Sequence, residues 1–159
     1  MKMIFIFETP MNTLPLETTL TDWLNRLQES GYRSTDRCEA IARVILSSQR
    51  ALDPVEIFDA ARAEIPGLGL VTVYRTLQKL EELGLIQRLH QEEGCRRVLP
   101  AVKGHQHFLV CSSCGMVRYF EGDNLAPLFE EITRQTGFAI QNHWLQLFGL
   151  CPACRAASA

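Results

Sequence analysis

Two pairs of cysteines with the same spacing constrain the fold of this chain more than any other feature of its sequence. Cys111 and Cys114 form one CxxC pair, and Cys151 and Cys154 form another after a further 36 residues. Four thiolates complete a tetrahedral shell around zinc, and the two-residue gap lets both sulfurs of a pair turn toward one ion. The spacing therefore predicts a structural Zn²⁺ that ties the beginning of a small domain to its end and contributes to folding.

A CxxC pair can also be a redox-active dithiol, but that motif normally occurs once, at a helix start near a βαβ unit. Two pairs at opposite ends of one small domain fit a metal shell better. In a reducing cytosol, the six cysteines of this chain are expected to be metal ligands or free thiols and not disulfides. Cys38 has a different interpretation, because it lies on the apolar face of a predicted helix and is expected to be buried.

The opening MKMIFIF predicts neither a secretion signal nor a membrane anchor. Its apolar run is shorter than a signal core and is interrupted by Glu8 and Pro10. No stretch of the sequence approaches the roughly 18 apolar residues of a membrane span. We expect a cytoplasmic protein without a membrane partner. Its first ten residues are either a disordered extension or, if translation starts at Met11 and not at Met1, no part of the protein.

Four segments before Gly84 have apolar residues at helical spacing, with recognisable start or stop signals. The first covers about 16–27, the second follows a capping Ser34 or Thr35, and the third begins at Asp53–Pro54. The fourth is LVTVYRTLQKLEELG, and the runs LIQRL and RRVLP after it are typical of a β-hairpin. Helix, turn, helix and hairpin in this order predict a winged helix-turn-helix, which places a helix in the major groove of DNA.

The pattern changes at His105. The segments HFLVC and VRYF are typical of strands, NLAPLFEEITRQTG of a helix, and FAIQNHWLQLFGLC of a long strand. These elements predict a small α/β domain that contains both cysteine pairs. The fold class is therefore α+β, with an N-terminal extension over residues 1–15, a winged-helix DNA-binding domain over 16–100, a hinge over 101–104 and a metal-binding domain over 105–159.

Four segments, taken together and in this order, resemble the ferric uptake regulator family of metal-dependent bacterial repressors. They are GYRST, GLVTVYRTLQKLEELGLI, HQHFLVCSSCGMV and FAIQNHWLQLFGLCPAC, and the resemblance extends from Gly31 to Cys154. It implies a homodimer built by the second domain, binding of a double-stranded DNA operator by the winged helix, and a regulatory metal at the hinge. The expected function is metal-dependent repression of metal-uptake genes, and not catalysis.

The resemblance also suggests which residues contact DNA. Tyr74 and Arg75, near the start of the fourth helix, match residues that face the bases, and a guanidinium can read guanine. Thr72, Arg33 and Lys79 are expected to contact phosphates, although Arg33 and Lys79 can equally be solvated surface charges. The formal net charge of −2 gives no global sign of a nucleic-acid partner, so binding must come from such local residues.

A second metal site is predicted, because four thiolates already fill the shell of one ion. His105 and His107 alternate on a strand, so both rings face the same side, and His143 matches a family position that supplies another imidazole. The carboxylate that family members commonly provide is replaced here by Tyr119 or Ala126. The missing ligand is expected from the hinge hairpin or from a nearby carboxylate. The candidate regulatory ligands are therefore His90, Cys95, His105, His107, Glu121 and His143.

The identity of the sensed ion depends on Cys95. A shell that mixes imidazole with thiolate suits zinc better than ferrous iron, and with Cys95 as a ligand the chain is most similar to the zinc-uptake regulators. Without it, a regulator that responds to iron, manganese or peroxide remains open. Oxidation of Cys95 or of a CxxC pair, with release of zinc, is a further alternative. A catalytic zinc is disfavoured, because the winged helix would then have no role.

Overall fold

The computed structural model describes residues 5–6, 15–89, 97–101, 107–121, 125–143 and 145–158. Within these ranges the fold is α+β, with four helices and a two-stranded sheet in the first part of the chain and a four-stranded sheet with two further helices in the second. No helix there is long and apolar enough to cross a lipid bilayer. In chain order the elements are β1 (Phe5–Ile6), α1 (Leu16–Glu29), α2 (Asp36–Ser47), α3 (Pro54–Glu64), α4 (Leu70–Glu82), β2 (Ile86–Arg88), β3 (Val98–Pro100), β4 (His107–Cys111), β5 (Val117–Glu121), α5 (Ala126–Thr136), β6 (Gln146–Gly149) and α6 (Pro152–Ala157).

The second and third helices begin where the sequence places their caps. At the start of α2, the Thr35 hydroxyl accepts a hydrogen bond from the backbone N–H of Cys38. At the start of α3, Asp53 accepts from the N–H groups of Val55 and Glu56, and the Glu56 carboxylate accepts from the N–H of Asp53. These bonds satisfy donors that the first helical turn leaves unpaired. The predicted helix starts are confirmed.

Helices α1 to α4 pack around one hydrophobic core, to which the strands β2 and β3 also contribute. Leu27, Ile41, Leu77 and Leu80 are fully buried there. Each such side chain contributes about 1.5–3 kcal/mol relative to an exposed position. Cys38 is buried too, as its position on the apolar face of α2 predicted. The first part of the chain therefore has a core of its own.

Helices α3 and α4 form the helix-turn-helix, and β2 and β3 form the wing. The turn between the helices contains Gly67, whose φ of +82° is rarely adopted by residues with a side chain. Strand β2 pairs antiparallel with β3, and Gln87 lies opposite Leu99. Leu52 adds to this pairing, because its N–H and C=O form hydrogen bonds of 3.0 and 2.8 Å with Val98. The winged helix predicted from the sequence is present.

The second part of the chain is built on a four-stranded sheet in the order β1–β5–β4–β6. Strand β4 pairs antiparallel with β5, with Phe108 opposite Tyr119, and parallel with β6, with Cys111 opposite Gly149. The backbone of β1 pairs with β5, so that Phe5–Ile6 lies at the edge of the sheet. The sequence suggested a disordered extension here. Its apolar run favours a strand, and the strand covers an edge that β5 would otherwise present.

The long strand predicted over 138–151 is only partly present. Strand β6 covers Gln146–Gly149, whereas residues 138–143 have no regular secondary structure. Strand β4 pairs with β6 from Phe108 and Gln146 onward, and among the described residues no strand lies beside 138–143. A strand needs a hydrogen-bonded neighbour as well as alternating apolar and polar residues, so the alternation alone was not sufficient to predict one here.

Candidate functional site

The four cysteines of the two CxxC pairs lie together at one end of the sheet. Cys111 ends β4 and Cys114 follows it in a turn, while Cys151 precedes α6 and Cys154 lies in its first turn. The parallel pairing of β4 with β6 explains their meeting, because each strand leads into one pair at the same end of the sheet. The four sulfur atoms lie within 4.8 Å of one another. The predicted four-cysteine cluster is confirmed.

The geometry of the cluster fits a tetrahedral zinc ion. A Zn–S distance of about 2.3 Å corresponds to roughly 3.8 Å between sulfurs in a tetrahedron, and the Sγ atoms of Cys114 and Cys151 are 3.8 Å apart.

Hydrogen bonds from the N–H groups of Cys114 and Cys151 lower the pKa of Cys111 to about 6. The Ser113 hydroxyl lowers the pKa of Cys154, but the thiols of Cys151 and Cys114 outweigh it and raise the pKa to about 11. The thiolate form is therefore favoured at Cys111 over Cys154, and a bound metal ion would favour thiolates further, because metal binding releases protons from cysteine ligands.

Two of the predicted imidazole ligands lie side by side. His107, on β4, is only 1% exposed, and its ring centre is 5.2 Å from that of His143. The ring of Phe120 lies 5.4 Å from His107, and the ring of Phe129 on α5 lies 4.5 Å from His143. Aromatic side chains from two elements thus hold the two imidazoles close together. A single divalent ion can join two imidazoles at this separation after small side-chain movements.

The other candidate regulatory ligands are not placed. His90, Cys95 and His105 lie outside the described residues, and for Glu121 only the backbone, at the end of β5, is described. Within the described ranges, the cysteine cluster is the one group of three or more His, Cys, Asp or Glu residues whose ligand atoms meet at metal-binding distance. The regulatory site therefore stays a prediction, supported by the proximity of two histidines.

The start of α2 and the exposed side of α4 enclose a concave surface of about 580 Å³. Its basic lining residues are Arg33, Arg37, Arg75 and Lys79, and the acidic one is Asp36. Three threonine hydroxyls complete the polar lining. Guanidinium, ammonium and hydroxyl groups are the side chains that contact phosphates in protein–DNA interfaces. A chain with a net negative charge thus has a locally basic surface beside the second helix of its helix-turn-helix.

Four of the five residues predicted to contact DNA line this surface, namely Arg33, Thr72, Arg75 and Lys79. The fifth, Tyr74, is 49% exposed on α4. Lys79 is held by a neighbour, because its ammonium group lies 4.9 Å from the ring centre of Tyr32. The Tyr32 hydroxyl donates to Glu82 at 2.7 Å, and this bond raises the pKa of Tyr32. These residues lie on or beside α4, whereas their roles in DNA binding stay predictions.

Sequence reasoning missed Arg37. This arginine is exposed in the first turn of α2 and adds a third guanidinium to the basic surface. The sequence contained the signal, because Cys38 was already assigned to the buried face of the helix. Arg37 is the immediate neighbour of Cys38 in the first turn and therefore faces outward. Arg33 lies before the start of the helix on the same side.

A winged helix with a basic concave surface, joined in one chain to four clustered cysteines that could hold a metal ion, indicates a metal-binding regulator of transcription. The sequence profile of the ferric uptake regulator family matches residues 29–148. The ferric uptake regulation protein of Bacillus subtilis (strain 168) is 35% identical over 133 residues, which are 81% of this chain and 89% of the relative. The chain belongs to the ferric uptake regulator family, whose members are metal-responsive, DNA-binding regulators and not enzymes.

Solved structures of the family have the same fold. The Helicobacter pylori ferric uptake regulator is 24% identical, with a TM-score of 0.69 over 89% of this chain and 95% of that one. A zinc-bound manganese uptake regulator is 28% identical, with a TM-score of 0.65 over 84% and 98%. A zinc uptake regulator in complex with zinc and DNA is 20% identical, with a TM-score of 0.64 over 92% and 99%. Regulators named for iron, manganese and zinc share this fold, so the fold alone does not identify the metal.

Proposed function

We propose that this protein is a cytoplasmic, homodimeric, zinc-responsive repressor of metal-uptake genes. It requires a structural Zn²⁺ in the four-cysteine cluster and responds to a second, regulatory Zn²⁺. The observation that carries the proposal is the basic concave surface between α2 and α4, beside the helix that a winged helix-turn-helix inserts into the major groove. A thiolate-only shell selects zinc over harder divalent ions, which supports zinc in the cluster.

The proposed DNA contacts divide into two kinds. Arg75 and Tyr74 are exposed near the start of α4, where a recognition helix meets base edges, and we assign them to base readout. Arg33, Thr72 and Lys79 surround the concave surface, and we assign them to phosphates. Phosphate contacts set the register of the protein on the duplex, whereas base contacts discriminate between sequences.

The proposed homodimer accounts for the apolar surface of the second part of the chain. Helix α5 contains no buried residue, and it exposes Leu128 and Ile132. The segment after it exposes Phe138 to 74%, and β6 exposes Phe148 to 46%. Clustered exposed apolar side chains of this size mark an interaction surface. A second copy of the chain is the occupant that the family implies.

Replacing Phe138 by aspartate is expected to dissociate the dimer. A symmetric interface contains the residue twice, and each buried phenylalanine contributes about 1.5–3 kcal/mol. The dissociation constant of the dimer should therefore rise by roughly 100-fold or more, which sedimentation velocity measures over a range of concentrations. Val55→Asp is the matched control, because Val55 is also an exposed apolar residue, at 50%, but lies on α3. Equal dissociation of both variants, or of neither, contradicts the assigned interface.

The proposed regulatory site joins the hinge to the second part of the chain. His107 and His143 supply two imidazoles 5.2 Å apart between ring centres, and His90, Cys95, His105 and Glu121 are the candidates for the remaining ligands. Hinge residues held to the paired histidines would restrict the winged helices to one orientation, with their recognition helices spaced for two half-sites. Metal shifts this equilibrium only if it binds the DNA-competent orientation more tightly than the others.

The test of zinc sensing is a metal titration of operator binding. DNA containing the promoter region of candidate metal-uptake genes is titrated with protein that retains its structural zinc, at increasing Zn²⁺ or, without oxygen, Fe²⁺. We expect Zn²⁺ to raise the affinity of the wild-type protein by about 5- to 150-fold, the usual range of coupling between two sites. Cys95→Ser and His143→Ala should both abolish this increase, because each removes a proposed ligand.

Arg134→Ala is the control for these variants, since its guanidinium is exposed on α5 and pairs with Glu131 at 2.6 Å. If Zn²⁺ still raises the operator affinity of Cys95→Ser as it does for the wild-type protein, or if Fe²⁺ alone restores operator binding, the sensed ion is not zinc bound by imidazole and thiolate ligands. An iron-responsive regulator is then the better assignment, which the 35% identity to the Bacillus subtilis ferric uptake regulation protein favours. Loss of binding on treatment with hydrogen peroxide, with release of zinc, would instead support the thiol redox switch.

A further inference from the structure

The segment between α2 and α3 lies directly against the turn of the first cysteine pair. Residues 48–52 are named here the linker, and residues 111–116 the cysteine turn. The N–H of Ala51 in the linker donates to the C=O of Gly115 in the cysteine turn at 3.0 Å. The contact therefore joins the part of the chain that contains the helix-turn-helix to the metal cluster itself.

Backbone pairing on either side extends this contact. The N–H of Val117 donates to the C=O of Gln49 at 3.2 Å, and Arg50 and Met116 form an antiparallel bridge. On its other side, the linker pairs with the wing through Leu52 and Val98. The linker thus forms isolated β-bridges to the cysteine turn on one side and to the wing on the other.

The side chain of Arg50 reinforces the backbone contact. Its Nε–H donates to the C=O of Cys114, so that a guanidinium is bonded to the backbone of a residue of the metal cluster. A second nitrogen of the same guanidinium lies 3.0 Å from the Glu56 carboxylate on α3. The Ser48 hydroxyl receives a hydrogen bond from the N–H of Arg50 at 3.0 Å and donates to its C=O at 2.9 Å, which shapes the linker. Arg50 therefore connects α3 with the cysteine turn.

An apolar cluster lies behind these polar contacts. Ala51 is fully buried in it. Leu89, which follows β2, and Leu99, in β3, belong to the wing. The four-stranded sheet contributes Phe108, Val110, Val117 and Tyr119. Side chains from both parts of the chain are buried together in this cluster, which is separate from the core of α1 to α4. Burial of this kind stabilises one relative position of the two parts.

Gly115 makes the close approach possible. Its φ of +75° is unfavourable for residues with a side chain. A Cβ at this position would also displace the guanidinium of Arg97 and lie 3.2 Å from the C=O of Ala51. The same guanidinium donates to that C=O at 3.4 Å. The positive φ and the close approach of the linker therefore favour glycine at this position.

We infer that the cysteine turn is the docking site of the winged helix, and that Arg50 is a positioning residue for the recognition helix. The four-cysteine cluster then has a second role beside holding its own domain together, because the turn it shapes orients the DNA-binding part. These contacts are made by residues other than His107 and His143, the two regulatory candidates whose side chains the structure describes. This inference rests on the proposed function, in which that orientation determines operator affinity.

The test compares Arg50→Ala with Arg62→Ala in the full-length, zinc-loaded dimer. Arg62 is the matched control, because it is an exposed arginine of the neighbouring α3 and contacts Asp59 and Phe58 of the same helix. In Arg50→Ala we expect unchanged zinc content and dimerisation. The amides of Ala51 and Val117 should exchange hydrogen about tenfold faster, the factor expected for loss of one hydrogen bond to a charged donor. Operator affinity at saturating Zn²⁺ should fall about fivefold or more.

A second variant, Ala51→Leu, enlarges a side chain at the buried junction and should accelerate the same amides. If the amides of Ala51 and Val117 exchange hydrogen at the wild-type rate in both variants, the cysteine turn is not a docking site for the winged helix. Faster exchange with unchanged operator affinity overturns the positioning role. If the wild-type protein itself binds no operator DNA, the proposed function fails, while hydrogen exchange still decides whether the parts are docked. Faster exchange and weaker binding in Arg50→Ala, with neither in Arg62→Ala, support the inference.

Discussion

Replacing both Cys151 and Cys154 by serine is expected to remove the zinc of the four-cysteine cluster and to unfold the second part of the chain. Structural zinc contributes roughly 10–16 kcal/mol of apparent binding free energy in zinc-finger peptides, which is comparable to the whole stability of a domain, about 5–15 kcal/mol. Atomic emission measures the metal, with about one Zn²⁺ per subunit expected in the wild-type protein and almost none in the variant. Sedimentation should then show monomers, because the proposed dimer surface belongs to the unfolded part.

The helices α1 to α4 should survive this substitution, since their core is formed without the cysteine cluster. Circular dichroism should therefore retain a helical, cooperatively melting fraction. Cys38→Ser is the control, because Cys38 is the described cysteine outside the cluster, with its sulfur 3.8 Å from the Thr76 hydroxyl. The Cys38→Ser variant should keep its zinc. Retention of zinc and of the dimer by the double variant would exclude the cluster as a structural metal site.

Removing the guanidinium of Arg75 is expected to cause the largest loss of operator affinity among the residues of α4. A well-placed contact to a base edge contributes about 1–3 kcal/mol of discrimination, so Arg75→Ala should weaken operator binding by roughly 10- to 100-fold and bind unrelated DNA much as before. Lys79→Ala should instead weaken all sequences similarly and reduce the slope of log affinity against log salt by about one unit. Fluorescence anisotropy at several salt concentrations measures both effects.

Arg62→Ala is the control for charge alone, because Arg62 is an exposed arginine of the same helix-turn-helix, on α3 and outside the basic concave surface. It should change operator affinity by less than about twofold, as expected for an exposed pair with Asp59. An equal loss in Arg62→Ala and Arg75→Ala would mean that net charge, and not the surface beside α4, governs binding. An unchanged affinity of Arg75→Ala would remove this residue from base readout.

The helical part of the fold was predictable because its signals are local. The caps at Thr35 and Asp53, the apolar stripe of α4 and the stop at Gly84, with φ of +62°, each act within one or two helical turns. The cluster of four cysteines was predictable for a different reason. Zinc demands four ligands, so two CxxC pairs imply that distant parts of the chain meet, even when the path between them is unknown.

Contacts between parts of the chain distant in sequence were not predictable from periodicity. Residues 138–143 lack the strand that their own alternation suggested, and β6 begins only at Gln146. The position of Phe5–Ile6 on the sheet depends on pairing with the edge of β5. Formation of a strand requires hydrogen bonding to another strand, which the propensity of a segment does not reveal.

The sequence by itself determined the helices, the winged-helix order of elements and the meeting of the four clustered cysteines, because helix caps, apolar spacing and CxxC spacing follow from residues read in order. The tertiary structure added the closeness of His107 to His143, the basic surface that includes Arg37, and the docking of Arg50 on the cysteine turn. These depend on side chains brought together from separate elements. Their distances follow from how the helices and the sheet pack, which no local pattern contains.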